Sequence, residues 1–223
     1  GFHASDPVVM SRTVKMAAES GVAAGAHPGY QDLVGFGRRN MKVAPAEVTD
    51  IVMYQIGALE AFCRANGIAM QHVKPHGAMY NMAEKDDKLA EAICRGIKAV
   101  NQDLILLGPG SGKMVKAAKA LGLKTAGEVF ADRAYMEDGT LVPRSQEGAM
   151  ITDEEEAVAR VLEMVQKGTV TAITGKKIEV QADSICVHGD GQKALLFVQK
   201  IRSELEKAGV VIAPMKEVIV GES

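Results

Sequence analysis

The stretch Met-Gln-His-Val-Lys-Pro-His-Gly-Ala-Met-Tyr-Asn at residues 70–81 decides the fold class. It begins with a short apolar run of strand length, which Pro75 ends, and it continues into polar residues. Upstream, the apolar side chains of residues 48–62 recur at helical spacing. A helix, a buried strand and a polar strand end in this order are typical of parallel α/β folds, in which functional residues follow the strands.

The same pattern recurs along the chain, because short apolar runs alternate with amphipathic helical stripes. This alternation predicts a parallel sheet with right-handed crossovers, either closed as a barrel or open and doubly wound. Residues 169–180, with Gly175-Lys176 in their middle, instead predict a small hairpin. The predicted strands are residues 22–26, 70–73, 104–107, 125–130, 184–187 and 210–213.

The first residues predict that the domain is N-terminally incomplete. Asp6 is a typical helix N-cap, and Pro7 suits the first helical position. A chain that opens on a helix lacks the strand that would precede it. Since the sequence has no repeat or linker, we expect a single domain over residues 1–223 with its first strand upstream.

Composition excludes several classes of protein. The 223 residues include 26 Lys+Arg and 28 Asp+Glu, so the net charge of −2 offers no basic excess for nucleic acid. No apolar run approaches the roughly 18 to 20 residues of a membrane-spanning helix. Cys63, Cys94 and Cys186 are too far apart for a disulfide framework or a C-x-x-C site, which favours a cytoplasmic location.

The loop after the first predicted strand carries a candidate binding site. His27 follows that strand, and a Pro-Gly turn would bring Tyr30, Arg38 and Arg39 over it. Two guanidinium groups near a histidine suit a carboxylate or a phosphate. The alternative is a solvated loop in which the arginines pair with Asp32.

The next strand end offers candidates for catalysis. Lys74 can stabilise a developing negative charge, and His76 can act as a general acid or base near neutral pH. Asn81 follows on the same segment as a candidate substrate contact. We expect His72, by contrast, to make only a core contact.

Later loops add further candidates. Arg133, Tyr135 and Arg144 follow the strand at residues 125–130 in a long loop and are suited to clamp an anion. His188 and Asp190, separated by one glycine, form either a general-base pair or a plain lining of the site, and both interpretations stay open.

Two further features concern ligands. Gly108-Pro-Gly-Ser-Gly-Lys113 does not match the spacing of a P-loop, so we interpret it first as a turn and second as a phosphate contact. His3 and His27 are candidate ligands of a divalent metal, which Asp6 or an upstream carboxylate would complete.

Seven segments of the chain closely resemble the LamB/YcsF family. The resemblance implies a seven-stranded β/α barrel of the glycoside hydrolase/deacetylase type that lacks its N-terminal strands here. It also implies ATP-dependent ring opening of 5-oxoproline to glutamate, with ATP bound as its Mg²⁺ complex and with two further 5-oxoprolinase subunits as partners. The segments are residues 1–7, 25–32, 35–39, 73–81, 128–135, 141–144 and 187–190.

For this reaction, the functional hypothesis gives each candidate a role. His76 and the pair His188 and Asp190 transfer protons, and Lys74 stabilises the oxyanion or phosphate. The expected contacts of the small anionic substrate are Tyr30, Arg38, Arg39, Asn81, Arg133 and Arg144. Two alternatives stay open: a metal-dependent amide hydrolase or deacetylase that needs no ATP, and a non-catalytic ligand-binding or regulatory subunit. The sequence also leaves homo-oligomerisation open.

Overall fold

The computed structural model describes residues 1–188 and 194–221. Their contacts group them into two compact units. The first contains residues 1–108 and 112–125, and the second contains residues 109–111, 126–188 and 194–221. Parallel strands alternate with helices, so the α/β class predicted from the sequence is confirmed. The single domain expected over residues 1–223 stays a prediction.

The first unit contains three parallel strands and five helices. Strand β1 pairs with β2, with Ala26 opposite Val73, and β2 pairs with β3, with Val73 opposite Leu106. The elements in chain order are α1 (Pro7–Glu19), β1 (Ala24–Ala26), α2 (Pro45–Ala65), β2 (Met70–Val73), α3 (Gly77–Ala83), α4 (Asp87–Val100), β3 (Ile105–Gly108) and α5 (Lys113–Ala120).

The core of this unit lies where α2 and α4 pack together. Ile56 on α2 and Ile93 on α4 are completely buried. Gly96 permits the close approach, since a Cβ there would lie 2.8 Å from the carbonyl oxygen of Thr49. The predicted cap of α1 is confirmed, because the Asp6 carboxylate accepts a hydrogen bond of 2.8 Å from the Val9 amide.

The second unit combines a parallel pair of strands with a hairpin. Strand β4 pairs with β7, with Phe130 opposite Cys186. The predicted hairpin at residues 169–180 is confirmed, because β5 and β6 pair antiparallel. The elements are β4 (Thr125–Phe130), α6 (Glu154–Lys167), β5 (Thr169–Thr171), β6 (Lys177–Glu179), β7 (Ser184–Cys186), α7 (Ala194–Lys207) and α8 (Met215–Val220).

One predicted strand is wrong. Residues 210–213 have no regular secondary structure, although their sequence is apolar. Val211 is 86% exposed, so this run neither pairs with a strand nor enters the core. Over the described residues, every helix is too short or too polar to cross a bilayer.

Candidate active site

The ends of β1 and β2 hold the candidate residues of the first unit at one edge. Beyond the last paired residues, the Lys74 amide donates to the Ala26 carbonyl oxygen at 2.9 Å. The His76 amide likewise donates to the Pro28 carbonyl oxygen at 2.8 Å. These bonds fix the segment after β2 against the one after β1, so His27 and His76 come together.

Three histidines meet at this edge. The His3 and His76 rings stack with their centroids 3.7 Å apart, and His27 lies edge-on to His76 at 4.7 Å. Each histidine offers one ring nitrogen, and these three nitrogens lie within 4.8 Å of one another. We call His3, His27 and His76 the histidine cluster. They are a group in the described chain that has the residue types and spacing to hold a metal ion.

Hydrogen bonds orient two rings of the histidine cluster. Nδ1 of His27 lies 2.6 Å from the Lys74 carbonyl oxygen. Nδ1 of His76 lies 2.8 Å from Nε2 of His27, and Nε2 of His76 lies 2.7 Å from the Phe36 carbonyl oxygen.

The surroundings of the cluster disfavour its protonated forms. Burial, followed by the charges of His76, the N-terminus and Arg38, lowers the pKa of His3 to about 4. His27 keeps part of its surface exposed, yet desolvation by the protein, followed by His76 and Lys74, lowers its pKa to about 3. These two rings are therefore neutral at physiological pH.

A tight loop over residues 30–39 forms one wall of the cluster. The buried Asp32 carboxylate accepts hydrogen bonds of 2.9 Å from the Gly35 amide and from Nε of Arg39. Arg39 therefore pairs with Asp32, as the alternative interpretation of the sequence described. This pairing lowers the pKa of Asp32. Tyr30 is almost completely buried at the start of the loop.

Phe36 and Gly37 bring the loop close to the rings. Phe36 has a φ of 53°, in the left-handed region that a bulky residue rarely adopts. Its ring lies edge-on to those of His3 and His76, at 5.6 and 5.4 Å. Gly37 has a φ of 64°, and a Cβ there would lie 2.7 Å from Cβ of His3 and 2.8 Å from Cδ2 of His76. The Arg38 guanidinium lies 5.1 Å from the centre of the Phe36 ring.

Gln55 supports the cluster, although it was not among the site residues predicted from the sequence. Its Oε1 accepts hydrogen bonds of 3.1 Å from the Phe2 and Gly29 amides, and its Nε2 donates to the Gly29 carbonyl oxygen at 2.9 Å. Gln55 thus fixes two segments: the one that follows β1 and the one that carries His3. The available signal was an amide side chain on the apolar face of α2.

A cavity of about 280 Å³ adjoins His3 and His27. Val9 and Val14 of α1 line it, together with Gln55 and Pro28. The cavity thus combines an apolar wall with two imidazoles, as small-molecule sites commonly do. Asn81 lies on α3, where its side chain is exposed.

The second unit holds a separate candidate group around His188. Nδ1 of His188 donates to the Asp132 carboxylate at 2.8 Å, and Nη2 of Arg144 donates to Nε2 of His188 at 3.2 Å. One of the two interpretations of the sequence pairs His188 with Asp190, which lies outside the described residues. Asp132, which follows β4, went unrecognised as a partner because nothing local joins it to His188.

Arg133 and Tyr135 hold the backbone of the second unit. Nη2 of Arg133 donates to the Val142 carbonyl oxygen at 2.6 Å, and the Tyr135 hydroxyl accepts from the Phe130 amide at 2.8 Å. The contacts that Arg133 makes here fix the loop, and its expected role in substrate binding stays a prediction.

The start of α5 already has an anionic partner. The Glu84 carboxylate accepts hydrogen bonds from the amides of Lys113, at 2.8 Å, and Met114, at 3.3 Å. The Lys113 ammonium pairs with Asp87 at 2.7 Å. Backbone amides at a helix start are the groups that would bind a phosphate, and a carboxylate of this chain occupies them.

Comparisons with known proteins agree over nearly the whole chain. The LamB/YcsF family profile matches residues 1–220. The 5-oxoprolinase A subunit of Clostridium beijerinckii is 62% identical over 98% of this chain and 86% of its own length. The protein of that name from Bacillus subtilis is 53% identical over 97% of this chain and 84% of its own length. The crystal structure of the lactam utilization protein from Thermus thermophilus is 44% identical, with a TM-score of 0.89 over 95% of this chain and 85% of that one.

Proposed function

Because this chain belongs to the LamB/YcsF family, we propose that it is the A component of a 5-oxoprolinase. In this proposal, it acts with two partner subunits to open 5-oxo-L-proline to L-glutamate at the expense of ATP. The observation that carries the proposal is the 62% identity, over 98% of the chain, to a protein named as the A component of 5-oxoprolinase. We place the reaction in the cytoplasm, where ATP is available.

The chemistry explains why ATP is needed. A lactam is a poor electrophile, because its nitrogen donates electron density into the carbonyl group. Transfer of the γ-phosphoryl group from ATP to the lactam oxygen releases ADP and makes the ring carbon open to attack by water. The C–N bond of the ring then breaks, and phosphate leaves as the carboxylate of glutamate forms. Ring opening then requires activation of a water molecule, a proton for the ring nitrogen and positive charge near the oxyanion.

The first unit supplies groups of these kinds at one edge. Two members of the histidine cluster, His3 and His27, line a cavity large enough for a five-membered ring with one carboxylate. The backbone of Lys74 is tied to both β1 and His27, which places this lysine beside the cluster. We assign His76 and Lys74 to the reaction on this basis, and Arg38 to the substrate carboxylate.

ATP is bound elsewhere than at the start of α5 in this proposal. Glu84 occupies the backbone amides there, and Lys113 pairs with Asp87. A nucleotide phosphate would have to displace both carboxylates. The proposal therefore assigns phosphorylation of the lactam to a step that requires the partner subunits.

The test is an assay of glutamate release from 5-oxoproline by the full-length protein with its two partner subunits and Mg-ATP. We expect turnover only when ATP and all partners are present. The variants His76→Gln and Lys74→Met should each lower kcat/KM by about 100-fold or more, the usual cost of removing a catalytic proton-transfer or charge-stabilising group.

His72→Gln is the matched control, because His72 lies at most four residues before Lys74 and His76, on β2, and outside the histidine cluster. It should assemble and turn over like the unmodified protein. Near-normal turnover by His76→Gln in an assembled complex would contradict the assignment. The complete complex binding 5-oxoproline without releasing glutamate would contradict the proposed reaction and favour a regulatory role.

A second candidate function is metal-dependent hydrolysis of an amide without ATP. The histidine cluster favours it, because three imidazoles at this spacing suit a zinc-type ion. The same assay separates the two: release of product by this chain with added Zn²⁺, and with neither ATP nor partners, would favour the second candidate.

A further inference from the structure

A chain of three short contacts runs through His27 and His76. It begins at the Lys74 carbonyl oxygen, 2.6 Å from Nδ1 of His27, and ends at the Phe36 carbonyl oxygen, 2.7 Å from Nε2 of His76. In its middle, Nε2 of His27 faces Nδ1 of His76 at 2.8 Å. Backbone carbonyl oxygens only accept hydrogen bonds.

The contact between the two rings, in the middle of this row of contacts, has no proton. Each terminal carbonyl oxygen requires an N–H, so His27 carries its proton on Nδ1 and His76 carries its proton on Nε2. A neutral imidazole has one N–H, and both are now used. Nε2 of His27 and Nδ1 of His76 are then lone pairs that face each other across 2.8 Å. Such a contact is repulsive unless a positive group lies between the two nitrogens.

A proton and a metal ion are the two candidates for that positive group. A shared proton would join only His27 and His76 and would leave the buried Nδ1 of His3 without a partner among the described residues. A metal ion needs no extra proton, since neutral imidazole nitrogens are its normal ligands.

His3 supplies a third ligand to the same place. It is 8% exposed, and its Nδ1 is buried with no hydrogen-bond partner among the described residues. One of its ring nitrogens lies within 4.8 Å of those of His27 and His76. Gln55, through Phe2, fixes the segment that carries His3.

We propose that His3, His27 and His76 bind one divalent transition-metal ion of the zinc type. Three nitrogen ligands with no thiolate suit Zn²⁺, and three protein ligands leave a fourth position open, as in catalytic zinc sites. His27 and His76 already make the hydrogen bonds that usually orient metal-binding histidines, because each donates its other N–H to a backbone carbonyl oxygen. The exposed side of His27 gives the ion a path from solvent.

The ion itself determines the chemistry at the open position. A zinc-type ion there acidifies a bound water or polarises an amide carbonyl oxygen. His76 is then a metal ligand and acts through the ion rather than as the acid or base itself.

Metal binding also predicts a specific movement. With metal–nitrogen bonds of about 2.1 Å, two ligand nitrogens of a tetrahedral site lie about 3.4 Å apart. The His27–His76 separation should therefore increase from 2.8 Å to about that value, and His3 should move inward. A crystal structure with Zn²⁺ would show both changes.

The test uses the metal alone, without substrate, ATP or partners. The protein is stripped with a chelator, and binding of Zn²⁺ is followed by calorimetry and that of Co²⁺ by its visible absorption. We expect one ion per chain, and His27→Gln and His76→Gln should each weaken binding by at least about 10- to 100-fold. His72→Gln should bind like the unmodified chain.

Two results would overturn the inference. One is that the stripped protein binds no stoichiometric Zn²⁺, and the other is that the His27 and His76 variants bind Zn²⁺ as tightly as the unmodified protein. Circular dichroism shows whether the variants fold, and His3→Asn provides a further substitution if one does not. Zn²⁺ should also raise the Tm of the unmodified protein and of His72→Gln but not that of the cluster variants. Because no substrate is involved, failure of this test leaves the proposed 5-oxoprolinase reaction intact, and the reverse also holds.

Discussion

The hydroxyl of Tyr135 has a single clear task in the second unit, which is to accept a hydrogen bond from the Phe130 amide at the end of β4. The residue is 4% exposed, so water cannot replace the hydroxyl. We expect Tyr135→Phe to lower the free energy of unfolding by about 1–3 kcal/mol, the cost of a buried amide that loses its acceptor.

Urea unfolding measures this difference. Tyr54→Phe is the control, since Tyr54 is 65% exposed and should change stability by less than about 0.5 kcal/mol. Equal effects of the two substitutions would show that the Tyr135 hydroxyl does not support the end of β4.

Individual residues also show where sequence reasoning stops. Its period and turn patterns located His27, Lys74 and His76 at strand ends, because these patterns are local. The partners Gln55 and Asp132 are far from their contacts along the chain: Gln55 lies 26 residues from Gly29, and Asp132 lies 56 residues from His188. No spacing rule connects such residues, so only the folded chain reveals them.

Among the elements, the loop that carries Gly37 determines how closely the histidines pack. We expect Gly37→Ala to destabilise the first unit and to disturb the histidine cluster, because the added methyl group would overlap His3 and His76. The left-handed backbone adds roughly 1–2 kcal/mol. Thermal unfolding and titration with Zn²⁺ measure the two effects.

Gly57→Ala is the matched control for this prediction. Gly57 lies within α2, and a Cβ there would meet nothing within 4 Å. Alanine is the better helix former, so this variant should be more stable by about 0.5–1 kcal/mol and keep its metal affinity. A Gly37→Ala protein with unchanged stability and affinity would show that the loop can move away from the rings.

Elements were predicted well where their signals are local. The cap at Asp6 and the hairpin at residues 169–180 follow from short patterns, and the structure confirms them. Residues 210–213 were mispredicted because an apolar run becomes a strand only when another strand is available to pair with it. That condition depends on the rest of the chain.

For the molecule as a whole, the three cysteines are free thiols, and their burial predicts which of them can react with a reagent in solvent. Cys63 and Cys94 are almost completely buried, and burial raises the pKa of Cys94 to about 12. Cys186 is half-buried. We expect a disulfide reagent to modify one thiol per native chain, at Cys186, and three in denaturant.

Mass spectrometry of the modified peptides identifies the thiol, and Cys186→Ser is the control, which should leave the native chain unreactive. Rapid modification of Cys63 or Cys94 under native conditions would show that the first unit opens far more readily than its packing implies.

The fold of the chain was accessible from sequence because alternation of helices and buried strands extends along most of it. The match to the Thermus thermophilus protein covers 95% of the chain, well beyond any one motif. The site was less accessible, since its chemistry depends on the protonation and spacing of three rings from separate segments. The sequence assigned His76 to proton transfer and His3 and His27 to a metal, and only the folded chain brings the three rings together.

The left-handed backbone of Phe36 lowers the stability of the protein, and this matters for protein engineering. Its left-handed backbone would be relaxed by glycine, so selection for heat resistance alone would favour Phe36→Gly. That change would remove the ring beside His3 and His76 and loosen the carbonyl group that orients His76. Stability and function therefore make opposite demands on one position, and a library screened only for thermostability would tend to lose the site.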